Sequence, residues 1–341
     1  MTKNATKHDK TLALVSATAI FLIVLAFGLI GHTATKRFNF GLCRGHRQND
    51  DLIDHARLHK ITPKMKIQIE KKYQQNFWGL VSFNPVPPFQ INTHDPITQD
   101  IFISGSVHGK RQWDPYIWDL FVRVLQKDNT NKLVVDVGAN LGYFSLLAAS
   151  MGYHVVAFEP MNRNVVKFLS SIVANGFQDR ISVYQNAVAA KSGGMVHLVE
   201  THSSNQGNGQ ISGVGTKGVY GQDYVDTIRL DDAIHTDVLL MKIDVEGSET
   251  AVLDGAKRLV CWNVVRFIVI ELSQETKKSK QCSALRMLKL FDKLGYVISD
   301  VVDDAPRLVP ANLEEFPPNI LFRLLDTSIP PGHRLKAVCD S

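Results

Sequence analysis

From residue 133 onward, short runs of β-branched and other apolar residues alternate with longer stretches whose apolar positions recur every three or four residues. The run "LVVDV" (133–137) reads as a buried strand, and "GYFSLLAASMG" after it as a helix stopped at Gly152. "HVVAFEP" repeats the strand pattern and closes at Pro160. "NRNVVKFLSSIVANG" repeats the helix pattern, with Asn162 as cap and Gly176 as stop. "RISVYQNAV" is a third strand. Later, "VLLMKIDV", "VVRFIVIEL", "YVISDVV" and "NILFRLL" read as strands, and "SETAVLDGAKRLV" and "SALRMLKLFDKLG" as helices. This alternation predicts an α/β fold, a parallel sheet with helices on both faces. Two extra strands, "SGGMVHLVE" and "YVDTIRL", flank a Gly-, Ser- and Asn-rich insertion (201–223) that predicts a mobile loop.

Upstream the pattern changes. Residues 11–31, "TLALVSATAIFLIVLAFGLIG", are uncharged, and as a helix would span roughly 30 Å, about one bilayer core. A cleaved signal peptide would have a shorter apolar region and a small-x-small site, and "GHTATKRF" matches that poorly, which favours an uncleaved single-pass anchor. Lysines 3, 7 and 10 before it and the Lys and Arg residues after it leave the orientation open. Residues 32–72 read as a basic stem. "PKMKIQIEKKYQQNFW" (63–78) suits a short amphipathic helix, either solvated or against an anionic membrane. "FNPVPPFQINTHDP" is Pro-rich and argues against regular structure at the entry to the main domain.

Composition adds two constraints. The net charge is +5, but the excess sits in residues 1–10 and 36–72, so the remainder is slightly acidic and lacks the basic footprint of a nucleic-acid enzyme. The four cysteines are widely spread with no metal-binding spacing, and Cys261, after an apolar helical run, reads as a small buried hydrophobe.

The candidate chemistry sits at the strand ends. In "DVGANLGYF" the turn is G-x-N-x-G, so it lacks the middle glycine of a dinucleotide fingerprint. Tyr143 and Phe144 stand where a phosphate-binding loop needs Lys and Ser or Thr. Asp136 would repel a pyrophosphate but attract an ammonium, as in S-adenosylmethionine, and Glu159 at the end of the second strand suits ribose hydroxyls. As bland alternatives, Asp136 caps a helix and Glu159 is a loop acid. "MKIDVEGSE" crowds Lys242, Asp244, Glu246 and Glu249 at the end of the fourth predicted strand. Alternation would put Lys242, Asp244 and Glu246 on one side if the strand persists that far. Asp244 and Glu246 are candidate catalytic carboxylates, for a general base, an acceptor contact or a divalent ion; otherwise they are first-turn helix acids. Glu271 lies at the same sheet edge, and His108, His197 and His202 are further possible bases.

"VVDVGANLGYFSLLAA", "VVAFEP", "TIRLDDAI", "LLMKIDVEGSETAVLDGA" and "IVIEL" occur here in the order seen in FkbM-type S-adenosylmethionine-dependent methyltransferases. The chain resembles that family over roughly residues 98–325. "GKRQWDPYIWDLFVRVL" is similar to the helix preceding the first strand there, although Asp114 stands where a Glu is common. The resemblance implies a Rossmann-like seven-stranded methyltransferase sheet. It puts Asp136, Gly138, Asn140 and Gly142 beside the methionine part of the donor, Glu159 beside the ribose, and Asn186 with Ala187 at the adenine rim. The chain then divides into a basic tail (1–10), a transmembrane anchor (11–31), a stem (32–97), the methyltransferase domain (98–325) and a C-terminal tail (326–341). The expected partners are a small-molecule, glycan or lipid acceptor and a membrane, with no nucleic acid. The alternatives are a nicotinamide-dependent oxidoreductase on a similar sheet and a non-catalytic membrane-tethered module.

Overall fold

The computed structural model describes residues 76–130, 132–200, 209–214, 224–273, 276–277, 280–302, 306, 317–328 and 330–334, all within the compact unit Asn49–Ser341. The chain begins with a hairpin, β1 (Phe77–Val81) and β2 (Phe89–Thr93), followed by α1 (Ile103–His108) and α2 (Pro115–Lys127). The alternating part runs β3 (Leu133–Val137), α3 (Tyr143–Ser150), β4 (Val155–Phe158), α4 (Asn162–Asn175) and β5 (Ile181–Tyr184). Four strands then leave the main sheet, or return toward it: β6 (Ala187–Val188), β7 (Met195–Glu200), β8 (Gly209–Val214) and β9 (Tyr224–Ile228). After them come α5 (Leu230–Ala233), β10 (Val238–Ile243), α6 (Glu249–Asp254), α7 (Lys257–Trp262), β11 (Val265–Glu271), α8 (Gln281–Lys293), β12 (Tyr296–Asp300), β13 (Asn319–Leu324) and α9 (Pro331–Arg334).

The main sheet has seven strands in the order β12-β13-β11-β10-β3-β4-β5. The β11–β10–β3–β4–β5 block is parallel, and β13 inserts antiparallel between β11 and β12. The order reverses between β3 and β10, which opens a crevice at their carboxyl ends. Apolar runs lacking polar alternation make strands buried on both faces, and β10 is buried along its whole length, Lys242 included. One apolar cluster packs Trp118 and Phe121 of α2 and Phe168 of α4 on the sheet. The second packs Leu253, Leu259 and Phe291 of α6, α7 and α8 with Met241, Ile268 and Phe322 of the strands.

Several expectations change. The Pro-rich stretch argued against regular structure, yet it contains β2, paired antiparallel with β1 from Phe77↔Thr93 to Val81↔Phe89. Val81, Phe89 and Ile91 join the main core, and the Gln90 and Asn92 N–H groups donate to Asn175 Oδ1 and Ser171 Oγ of α4, both at 2.8 Å. The hairpin therefore belongs to the domain, which starts before residue 98. Part of the Gly-rich insertion forms β8, which pairs with β7 in a second sheet, β6-β9-β7-β8. The expected third strand splits into β5 and β6, one in each sheet. The expected single helix over 248–260 breaks into α6 and α7 at Gly255, where a Cβ would lie 2.2 Å from the Ala189 carbonyl oxygen. Cys261 is buried as expected but is also disulfide-bonded.

Among the described residues no helix is long and apolar enough to cross a membrane. The anchor predicted at 11–31 lies outside them, as do the basic tail and most of the stem.

Candidate active site

The crevice between the β3 and β10 ends is a cavity of about 250 Å³. Its floor is the turn after β3. The N–H groups of Gly138 and Ala139 both donate to the Phe158 carbonyl, and the Asp244 N–H donates to the Val137 carbonyl, which ties the ends of β3, β4 and β10 together. Gly138 has φ +82°, and a Cβ there would sit 1.8 Å from the Asp244 carbonyl oxygen, so only glycine lets the two loops approach. Asn140 also takes a positive φ, 54°. Its N–H donates to Glu159 Oε2 at 2.8 Å, while Glu159 Oε1 accepts from Met161 N–H (2.9 Å) and Asn164 Nδ2 (3.1 Å). Burial pushes the Glu159 carboxyl up to about 7, against the pull of these donors. Behind it, Asn164 Oδ1 is 2.8 Å from His94 Nε2, and burial lowers His94 to about 4, so its ring is neutral and donates.

The other wall comes from β10 and β11. Asp136 and Lys242 are direct neighbours across β3 and β10. Lys242 Nζ lies 2.8 Å from Asp244 Oδ2 and 5.5 Å from the centre of the Phe144 ring. Burial works against the Lys242 charge, yet Asp244 and Asp136 hold its pKa above the ordinary range. Asp136 itself is raised by burial, with Lys242 and the Ser145 hydroxyl (2.6 Å to Oδ2) pulling the other way. The negative charge of Asp244 and then burial push Glu271 up to about 8, against Lys242. Glu246 sits past the strand end in the left-handed region, φ 49°, a conformation costing a non-glycine residue about 1 kcal/mol or more.

Residues 136–298 match the family model for the methyltransferase FkbM domain. Over those residues the chain is similar to that family. No curated protein matches the sequence. Among solved structures, the methyltransferase FkbM from Methylobacillus flagellatus is similar, with 19% identity over 56% of this chain and a TM-score of 0.35. The match spans 43% of that chain, less than half its length. A putative rRNA-methylase from Clostridium thermocellum is similar at 12% identity, covering 61% of this chain and 93% of that one, TM-score 0.37. P. horikoshii TYW2 in complex with MeSAdo is similar at 12% identity, covering 71% and 69%, TM-score 0.33.

The fold brings most of the sequence-predicted residues to one cavity: Gly138, Asn140, Glu159, Asn186, Ala187, Asp244 and Glu246 all line it. Two do not. Asp136 lies beneath the floor, fully buried. Gly142 packs elsewhere: a Cβ there would meet the Phe168 ring at 2.1 Å, so its glycine serves α4 packing and a left-handed φ of 80° rather than ligand approach. The strand also stops at Ile243, so simple alternation does not carry Glu246 to the cavity; the turned loop does. Glu249 faces inward, accepting from Gly247 N–H (2.8 Å) and the Thr276 hydroxyl. His108 bonds Thr93 (2.9 Å) and His197 packs on Tyr224, neither lining the cavity, and His202 lies outside the described residues.

Sequence reasoning missed Asp100, Phe102 and Trp113, which close the cavity from the segment before β3. It also missed the His94–Asn164 support of Glu159. The aromatic residues of "DIFISG" and "RQWDP" were the available signal, since large apolar side chains in a loop need a surface to cover.

Whether the donor implied by the resemblance fits is answered by unpartnered atoms. Asn140 Oδ1 and Asn186 Oδ1, both buried and on lining residues, and Asp136 Oδ1 below them have no hydrogen-bond partner. The two buried acceptors on lining residues call for a ligand that donates. S-adenosylmethionine presents an ammonium, ribose hydroxyls and an adenine amino group, and the residues present fit it.

Proposed function

We propose that this protein is an S-adenosylmethionine-dependent methyltransferase acting on an acceptor oxygen. The observation that supports it most is the set of unpartnered acceptors at Asn140 and Asn186 flanking Glu159 in a single cavity. In this reading Asn140 holds the amino-acid end of the donor, Glu159 the ribose through its free acceptor capacity, and Asn186 the adenine amino group. Phe158, Met161, Val188 and Leu198 exclude water around the adenine. When bound, the donor supplies an activated sulfonium methyl, so positioning provides much of the rate.

The chain's remaining task is the acceptor proton. Asp244 is held by Lys242, whereas Glu271 accepts no hydrogen bond among the described residues and its raised carboxyl matches the working range of a general base. Glu271 takes the hydroxyl proton, and Asp244, pinned by Lys242, sets its basicity. The uncharged stretch 11–31 supports a membrane tether for this activity.

The test is transfer of a radiolabelled methyl group from the donor into fractionated membrane extract by the full chain. The reading predicts labelled acceptor with wild type and loss of about 10²-fold or more with Glu271→Gln. Absence of label with a folded, donor-binding wild-type protein would contradict catalysis. Sedimenting the same preparation with lipid vesicles checks the tether.

A further inference from the structure

The two oxygens of Glu159 are not equally engaged. Oε1 accepts from the Met161 N–H at 2.9 Å and from Asn164 Nδ2 at 3.1 Å, whereas Oε2 accepts from the Asn140 N–H at 2.8 Å. A carboxylate oxygen has room for about two hydrogen bonds, so the open acceptor site is on Oε2, beside the lining residue Asn140. Two of these three donors are backbone groups, supplied by the turn after β3 and by the start of α4. The third, Asn164, is a side chain that does not itself line the cavity.

Asn164 is completely buried in the first turn of α4, and its Oδ1 lies 2.8 Å from His94 Nε2. With Nδ2 given to the carboxylate, Oδ1 is the acceptor and the His94 ring donates. The two ends of an amide have nearly the same shape, so packing alone does not choose between them. A turned amide would set Oδ1 against Glu159, acceptor against acceptor. His94 is itself held, 3% exposed just past β2. Its N–H donates to Ser104 Oγ at 3.2 Å, and the Ser104 hydroxyl donates to Asp100 Oδ2 at 2.6 Å. Asp100 also accepts from the Phe102 and Ser104 N–H groups, both at 3.0 Å. A continuous row of hydrogen bonds thus runs from Asp100 through Ser104, His94 and Asn164 to Glu159. It joins α4 to the segment after β2, 70 positions away in the chain.

Resting on the donor assignment above, we infer that Asn164 is a positioning residue for donor binding: held by His94, it fixes Glu159 with Oε1 occupied and Oε2 offered to the ribose. A pair that only satisfied the core would change stability alone, whatever residue stood at 159.

The experiment titrates S-adenosylhomocysteine into the full-length protein by calorimetry, with circular dichroism confirming the fold of each variant. Asn164→Asp keeps the shape and the His94 contact but turns an acceptor toward Glu159, and should weaken binding about tenfold or more. In a Glu159→Gln background the new amide donates to the carboxylate at 164, so adding Asn164→Asp should cost about twofold or less. His94→Leu orphans the buried Oδ1 and should weaken binding about fivefold or more, whereas His94→Gln presents an N–H in its place and should stay within about twofold of wild type. The two pairs of variants are read separately, so one decides where a member of the other does not fold. Equal losses from Asn164→Asp in both backgrounds, wild-type affinity in folded Asn164→Asp, or equal affinities in His94→Leu and His94→Gln would overturn the inference while leaving the donor assignment standing. Failure of the folded wild type to bind S-adenosylhomocysteine would overturn the donor assignment, and this inference with it.

Discussion

Glu159 and Glu271 are both held above the ordinary carboxyl range, for different reasons that give them different work. Burial dominates at Glu159, which sits among backbone donors and reaches about 7; at Glu271 the first cause is the charge of Asp244, and it reaches about 8. Both native-state values lie above the unfolded ones. Each therefore stabilises the fold below the ordinary range near 4.5 and withdraws stability as pH rises through its raised value. If Glu271 is the base, the methyl-transfer rate climbs as pH rises toward about 8 and then levels. Glu271→Gln should lose that limb, and a pH–rate profile unchanged in shape would remove Glu271 from the proton step. The positions of Asn140 and Glu159 on the cavity could be read from the sequence because strand ends and their turns announce themselves, whereas Asp136, expected beside the ligand, lies beneath the floor. Glu271 could be placed at the same sheet edge but not given the proton step, because Asp244 becomes its neighbour through the pairing of β10 with β11, which no local spacing shows. Gly142 read as a ligand-facing glycine because sequence cannot separate close approach of a ligand from close approach of the Phe168 ring.

At the level of elements, the hairpin β1–β2 is the main addition to what the sequence revealed. Three prolines in "NPVPP" hide its turn, and the partners that order it, Ser171 and Asn175, lie on α4 far along the chain. Phe89 is 1% exposed and packs edge-on to Tyr143, a cavity residue, at 6.0 Å. Phe89→Ala should cost about 3–5 kcal/mol by chemical denaturation. It should also weaken donor-product binding through Tyr143. A loss below about 1 kcal/mol would show the hairpin to be peripheral. By contrast β3, β4, β10 and β11 were legible because each is an apolar, β-branched run bounded by glycine, proline or a charged turn. The α6–α7 break was not, since the close approach of the Ala189 carbonyl to Gly255 at the break is a tertiary contact that no local pattern shows.

Across the whole molecule, the reversal of strand order between β3 and β10 places residues more than a hundred positions apart around one cavity. Alternating patterns predicted a parallel sheet but not the antiparallel insertion of β13, because the pairing partner of a late strand is a tertiary choice. The central claim is that this cavity holds S-adenosylmethionine through Asn140, Glu159 and Asn186. The most direct test is calorimetric titration of S-adenosylhomocysteine into folded wild type and Glu159→Ala, with circular dichroism confirming that both are folded. The account predicts saturable one-to-one binding to wild type, weakened about tenfold or more in Glu159→Ala, as expected for losing a charged acceptor. Equal affinity in the two proteins, or no binding to wild type, would contradict it.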